Sequence, residues 1–156
     1  MKKRIPLVTV FLIVALLAAV TPVAADQKAP VGERIRIYDG AMTFAAGTPF
    51  NTRHGWIQPS TDEAIGVFDF TLDVDGVPQR ETFKWFYVQS GDPDMLTRLF
   101  VYNFPEGMPI GTYTFTGHWY APCQYAVDWL GYPGPCATPN AKVETTTRSL
   151  VVTFVP

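Results

Sequence analysis

The chain has 156 residues, of which 14 are acidic and 12 basic. Three of the basic residues, Lys2, Lys3 and Arg4, stand at the N-terminus, so residues 26–156 keep nine Lys and Arg against 14 Asp and Glu, a net charge of about −5. This sign argues against a partner such as nucleic acid or anionic lipid, because both select basic surfaces. The length suits one domain, and an aromatic content of 14% argues against disorder.

Residues 1–25 have the pattern of an export signal peptide. The basic start is followed by an apolar run from Leu7 to Thr21 and by small residues at 23–25. The run is shorter than the roughly 20 residues that a bilayer-spanning helix needs. We expect cleavage before Asp26 and a secreted or periplasmic product without a stable membrane anchor; a retained N-terminal anchor is the alternative.

Alternating apolar and polar residues, separated by Gly, Pro, Asn and Asp, predict β-strands from residue 33 to the end. The predicted strands cover 34–38 with a short continuation at 42–44, then 49–57, 65–74, 81–89, 96–104, 111–120 and 143–155. In 65–74 every second residue is apolar, which is typical of a half-buried antiparallel strand; these residues are Phe68, Phe70, Leu72 and Val74. Asp75-Gly76 then predicts a tight hairpin turn.

About seven strands without crossover helices predict an all-β fold, an antiparallel sandwich of two sheets that forms one domain over residues 26–156. In the strand that begins at Gly111, the inward residues are Tyr113, Phe115 and Trp119. This strand resembles the penultimate strand of immunoglobulin-like sandwiches, in which a Tyr near the strand start bonds back to the backbone. The resemblance implies an immunoglobulin-like fold, lacks the inter-sheet disulfide of antibody domains, and implies no function.

The segment from Ala121 to Lys142, here called the stapled loop, is much longer than an ordinary hairpin loop. Its two cysteines, Cys123 and Cys136, are expected to form a disulfide that closes a loop of about 14 residues, because export brings them to an oxidising compartment. Pro122 can begin a helical turn and Gly131 can end it. Such a turn would place Tyr125 and Trp129 on one helix face.

The stapled loop has two interpretations. In the first it is a preorganised surface that binds an extracellular protein or carbohydrate, since Tyr and Trp offer large contact area at small entropic cost. The contacts would then be Tyr120, Tyr125, Trp129 and Tyr132, with Asp128 as a polar anchor. In the second interpretation the loop is a plug, whose aromatic side chains fold back and complete the core.

The strands at 81–89 and 96–104 are apolar on both faces, so one face needs a cover. The stapled loop, a second copy of the chain or a stacked sugar could supply it. A homo-oligomer would make the protein a structural or oligomerisation module of the cell envelope, which is the first alternative function.

Patterns for catalysis and metal binding are sparse. The sequence has no nucleophile elbow, no zinc-protease motif and no phosphate-binding glycine loop. Carboxylate pairs such as Asp69 with Asp73 and Asp73 with Asp75 are the candidates for hydrolysis, since carboxylates two residues apart on a strand could meet the separation that glycosidases use. A small secreted hydrolase is therefore the second alternative, although such pairs usually form a solvated strand face. Neither His54 nor His118 has a sequence neighbour that marks it as a base. We therefore expect an exported binding or adhesion module without catalytic activity, cofactor or metal.

Overall fold

The computed structural model describes residues 30–60, 67–88 and 92–156, and for residues 83 and 85–88 it describes the backbone alone. Three predictions lie wholly or partly outside this range. They are the signal peptide at 1–25, the first residues of the strand at 65–74, and the side chains of the strand at 81–89.

The described residues form nine strands and one helix in two sheets. In chain order these are β1 (Glu33–Ile35), β2 (Gly40–Ala45), β3 (Phe50–Pro59), β4 (Asp69–Val74), β5 (Val77–Pro78), β6 (Phe83–Val88), β7 (Met95–Phe104), β8 (Gly111–Pro122), α1 (Cys123–Leu130) and β9 (Lys142–Val155). The strand order is β1-β3-β7-β6 in the first sheet and β2-β9-β8-β4-β5 in the second. The prediction of a mostly β, sandwich-like chain with a disulfide before the last strand is confirmed.

Two strand pairings differ from the predicted antiparallel arrangement. β1 pairs in parallel with β3, and β2 pairs in parallel with β9, while the remaining pairs are antiparallel. The predicted continuation at 42–44 is therefore a separate strand in the other sheet. The reason is that residues 36–39 carry the chain from one sheet to the other instead of turning it back, so β1 and β2 form no hairpin. This split and the two-residue β5 account for nine strands in place of about seven.

The core lies between the two sheets and takes side chains from both. Its largest members are aromatic: Phe50, Phe70, Phe100, Tyr102, Phe115 and Phe154. The alternation predicted for β4 is confirmed, since Phe70, Leu72 and Val74 are buried and the residues between them are half-buried. The hairpin turn is also confirmed, because Asp75 and Gly76 both have positive φ angles (50° and 76°), as a type I′ turn requires.

The ring of Phe70 packs closely against the backbone of β8 at Gly117. A Cβ at Gly117 would lie 2.8 Å from Phe70 Cε2, so a glycine is needed for this close approach. Near the start of the same strand, Tyr113 packs edge-on against Phe154, with ring centroids 5.8 Å apart. Within the described part of the chain the Tyr113 hydroxyl makes no hydrogen bond, so the backbone bond that the immunoglobulin resemblance implies is not formed.

Two strands, now β6 and β7, were expected to be apolar on both faces, and the structure describes the side chains of both faces only for β7. Phe100 and Tyr102 face the core, while Val101, on the opposite face, is also buried. The helix of the stapled loop packs against β8 and β9, which belong to the other sheet. The main contacts of this helix are therefore with the second sheet, to which β7 does not belong.

Candidate functional site

A disulfide joins the two ends of the stapled loop, as predicted. Cys123 Sγ and Cys136 Sγ are 2.02 Å apart, and the pair lies directly before the last strand. A disulfide of this kind indicates a non-reducing compartment outside the cytosol. In the ranges 30–60, 67–88 and 92–156 no helix is both long enough and apolar enough to cross a bilayer.

Helix α1 begins and ends at the two residues that the sequence indicated. Pro122 precedes its first residue, and Gly131 ends it in the left-handed conformation (φ 71°). The N–H of Tyr132 then donates to the carbonyl oxygen of Ala126 at 3.0 Å. Because the first N–H groups of a helix lack partners within it, they need acceptors elsewhere.

The returning segment of the stapled loop supplies two of those acceptors. The N–H of Cys123 donates to Ala141 O at 2.8 Å, and the N–H of Gln124 donates to Pro139 O at 2.9 Å. The helix is therefore held by two backbone hydrogen bonds in addition to the disulfide. An ion pair between Lys142 and Asp69 fixes the end of the loop to β4.

The aromatic side chains of the stapled loop point in different directions. Tyr125 is half-buried and packs edge-on against Phe68, with ring centroids 4.9 Å apart. Tyr132 is half-buried as well, and its ring lies over Gly134, where a Cβ would be 2.8 Å from it. Trp129, one helical turn after Tyr125, is 76% exposed. Tyr125 thus packs inward, as the plug interpretation expects, whereas Trp129 faces solvent.

The other two predicted contacts are Tyr120, near the end of β8, and Asp128, within the helix. Tyr120 is half-buried on β8, and Lys142 Nζ lies 4.8 Å from the centre of its ring. Asp128 is exposed, and its Oδ1 accepts a hydrogen bond from Gln124 Nε2 at 2.9 Å. Of the five predicted contacts, Asp128 and Trp129 are therefore exposed and the three tyrosines are half-buried.

The last turn of α1 carries three exposed apolar side chains, which are together called the helix patch. It consists of Val127 (40% exposed), Trp129 (76%) and Leu130 (44%). Among the large hydrophobic side chains that the structure describes, Trp129 is the most exposed. Among them Trp129 is the residue type that is most enriched at the energetic centres of interaction surfaces.

His118 has two carboxylate neighbours in space, although no neighbour in the sequence marks it as a base. Its Nδ1 lies 2.9 Å from Glu144 Oε1, and its Nε2 lies 3.5 Å from Asp73 Oδ2. A hydrogen bond from Thr147, and then the one to His118, lowers the pKa of Glu144. Residues 73, 118 and 144 are far apart in sequence and meet only through the register of β4, β8 and β9.

Two of the carboxylates considered for hydrolysis have partners in the structure. Asp69 forms an ion pair with Lys142, and Asp73 Oδ2 lies 3.5 Å from His118 Nε2. Within the described ranges, no group of three or more His, Cys, Asp or Glu side chains could hold a metal ion.

The sequence matches no protein-family model and no curated protein. Its function therefore has to be argued from the geometry of its own residues.

Proposed function

We propose that the protein is an exported binding or adhesion module that contacts its ligand through the helix patch. The observation that carries this proposal is Trp129, a large apolar side chain with 76% exposure on a helix that a disulfide and two backbone hydrogen bonds hold in place. An exposed indole has an unfavourable contact with water, which a partner would relieve. Tryptophan is also among the residues that most often dominate binding energy.

The rigidity of α1 supports the same function. Binding through a flexible loop loses conformational entropy when the loop becomes ordered, and a preformed loop avoids part of that loss. Tyr125, half-buried against Phe68, anchors the inner side of the helix while Trp129 stays on the outer side. In this proposal the stapled loop has both roles, since its inward residue Tyr125 holds the helix against the sheet and its outward residue Trp129 contacts the ligand.

We further infer that the fold is immunoglobulin-like. Constant-type immunoglobulin domains have one sheet of strands A, B, E and D and a second sheet of C, F and G. If β1, β3, β7 and β6 are A, B, E and D, and β4, β8 and β9 are C, F and G, the order in both sheets agrees, with β2 and β5 as added edge strands. The parallel pairing of β1 with β3 departs from this pattern.

On this assignment the stapled loop is the connection between strands F and G. In variable domains the F–G loop is one of the three loops that bind antigen. This is an analogy of fold, which supports the position of the contact surface and leaves the ligand open to experiment. An extracellular protein or a carbohydrate fits the proposed export, which the disulfide supports.

The test is a binding screen of the purified protein against glycan arrays and secreted-protein fractions, run with Trp129→Ala in parallel. Ile110→Ala is the matched control, because Ile110 is a large apolar residue with 65% exposure at the other end of β8. The 12 residues of β8, which lie between the two positions in the chain, span roughly 35–40 Å. We expect binding by the wild type and by Ile110→Ala, and its loss in Trp129→Ala. Unchanged binding by Trp129→Ala would refute the proposal.

Sedimentation velocity separates this function from the oligomerisation alternative. The proposal expects a monomer whose sedimentation coefficient does not change with protein concentration. A dimer that dissociates when Trp129 is replaced by Ala would instead assign the helix patch to contacts between copies of the chain.

A further inference from the structure

A concave surface lies beside β3, at the point where β1 leaves the first sheet. β1 pairs with β3 only as far as Thr52, and the chain then crosses to the second sheet through residues 36–39. The gap forms an open depression of about 580 Å³. Its side chains are mainly cationic and aromatic, and include Arg34, Arg36, Arg53, Tyr38, His54 and Trp119. We refer to it as the arginine depression.

The charge of the arginine depression is opposite to that of the chain as a whole. Three guanidinium groups line it and no carboxylate does, although the full chain has a net charge of −2. Within the described residues neither Arg36 nor Arg53 forms an ion pair. Three guanidinium groups around one concave surface produce a positive potential that attracts anions.

Two of the three arginines are held in place by hydrogen bonds. Arg53 Nε donates to Asn51 Oδ1 at 2.7 Å, and Arg34 Nη2 donates to Arg53 O at 3.4 Å. A guanidinium has five N–H donors, so the Arg53 group keeps donors for another partner. Such a donor set matches the oxygen atoms of carboxylate, sulfate and phosphate.

His54 adds a buried polar atom at the same place. The residue is 7% exposed, and its Nε2 is buried without a hydrogen-bond partner in the described part of the chain. Its ring stacks on Phe70 at 4.2 Å and meets Trp119 edge-on at 5.3 Å between centroids. Burial, and then the nearby charge of Arg34, lowers the pKa of His54 to about 3, so the imidazole is neutral at physiological pH. Buried polar groups without partners are uncommon in proteins and are frequently completed by a ligand or water.

We propose that the arginine depression binds a small anionic molecule through its carboxylate, sulfate or phosphate group. Arg36 and Arg53 hold the anionic group, and Tyr38 and Trp119 contact the remainder of the molecule. The volume lies within the range of small-molecule sites. This site is separate from the helix patch and does not depend on the function proposed for it.

The test uses calorimetric titration of the full protein at low salt with glucuronate, glucose 6-sulfate and glucose 6-phosphate, and with glucose as the neutral probe. We expect saturable binding of at least one anionic sugar and none of glucose. Which of the three binds identifies the anionic group.

Arg36→Gln and Arg53→Gln are each expected to weaken that binding about tenfold or more, the usual effect of losing a charged hydrogen bond. Arg80→Gln is the matched control, because Arg80 is exposed beyond β5, at the edge of the second sheet opposite β2. Circular dichroism confirms that each variant is folded. Failure of all three anionic sugars to bind, or binding that Arg36→Gln and Arg53→Gln weaken no more than Arg80→Gln does, overturns the proposal.

Discussion

The buried histidine makes the stability of the protein depend on pH, and the structure gives both the sign and the size of the effect. His54 has a pKa of about 3 in the folded protein and an ordinary value of 6.5. Between these values the unfolded chain binds a proton at this residue that the folded chain does not bind. Stability therefore rises with pH through this range: the contribution is complete above pH 6.5 and is lost progressively as the pH falls toward 3.

The magnitude follows from the difference between the two pKa values. One pKa unit corresponds to 1.36 kcal/mol, so at pH 4.5, two units below the unfolded value, the loss is about 2–3 kcal/mol. Glu81 acts in the opposite direction, because burial raises its pKa and the folded state then gains a proton more readily. A comparison with a variant that lacks only His54 removes this and every other background contribution.

His54→Phe is the suitable variant, since it keeps a ring against Phe70 and does not titrate. Urea unfolding of both proteins at pH 7.0 and pH 4.5 gives four free energies of unfolding. We expect the wild type to lose about 2–3 kcal/mol more than His54→Phe between the two pH values. Equal losses in the two proteins would refute the reasoning, because they would mean that His54 is protonated in the folded state as easily as in the unfolded one.

Three further predictions concern the stapled loop and the core. Reduction of the Cys123–Cys136 disulfide should lower the free energy of unfolding by about 3 kcal/mol, the loop-closure value for about 14 residues, as measured by urea unfolding with and without dithiothreitol. Gly117→Ala places a Cβ 2.8 Å from Phe70 Cε2, and this overpacking should cost about 1–3 kcal/mol in thermal unfolding. Tyr125→Ala removes an inward aromatic contact and should cost about 1–3 kcal/mol by the same measurement.

Each of these predictions has a result that contradicts it. Equal unfolding midpoints of the oxidised and reduced protein would mean that the disulfide does not constrain the unfolded chain. An unchanged melting temperature of Gly117→Ala would mean that the ring of Phe70 moves aside at no cost. Tyr125→Ala is compared with Trp129→Ala, which should change stability by only about 0.5 kcal/mol because Trp129 is exposed; equal effects of the two would contradict the inward packing of Tyr125.

Much of the fold could be predicted because the signals were local. The alternation in β4, the turn at Asp75-Gly76, and the positions of Pro122 and Gly131 around α1 depend on neighbouring residues only, and the structure has each of them. The split between β1 and β2 could not be predicted in this way. Alternation states which residues face inward but not which sheet a strand joins, and here residues 36–39 change the sheet.

The functional surfaces depend on long-range register, which explains what the sequence left open. The alternation of residues 34–38 places Arg34 and Arg36 on the polar face of one strand. It does not show that they lie beside Arg53, because that depends on the pairing of β1 with β3. His118 meets Glu144 and Asp73 for the same reason.

The two aromatic residues of α1 illustrate a further limit. The spacing of four residues between Tyr125 and Trp129 predicted a shared face, but it could not tell which ring would reach the sheet. In the structure Tyr125 contacts Phe68, whereas Trp129 remains 76% exposed.

The central claim is that the helix patch is the ligand contact surface, and one measurement tests it most directly. The dissociation constant of the first ligand found by the binding screen is determined for the wild type, Trp129→Ala and Ile110→Ala. Loss of a dominant contact residue costs 2 kcal/mol or more, so we expect Trp129→Ala to bind about 30-fold more weakly, with Ile110→Ala equal to the wild type. Equal dissociation constants for all three proteins would contradict the claim and place the binding surface elsewhere on the domain.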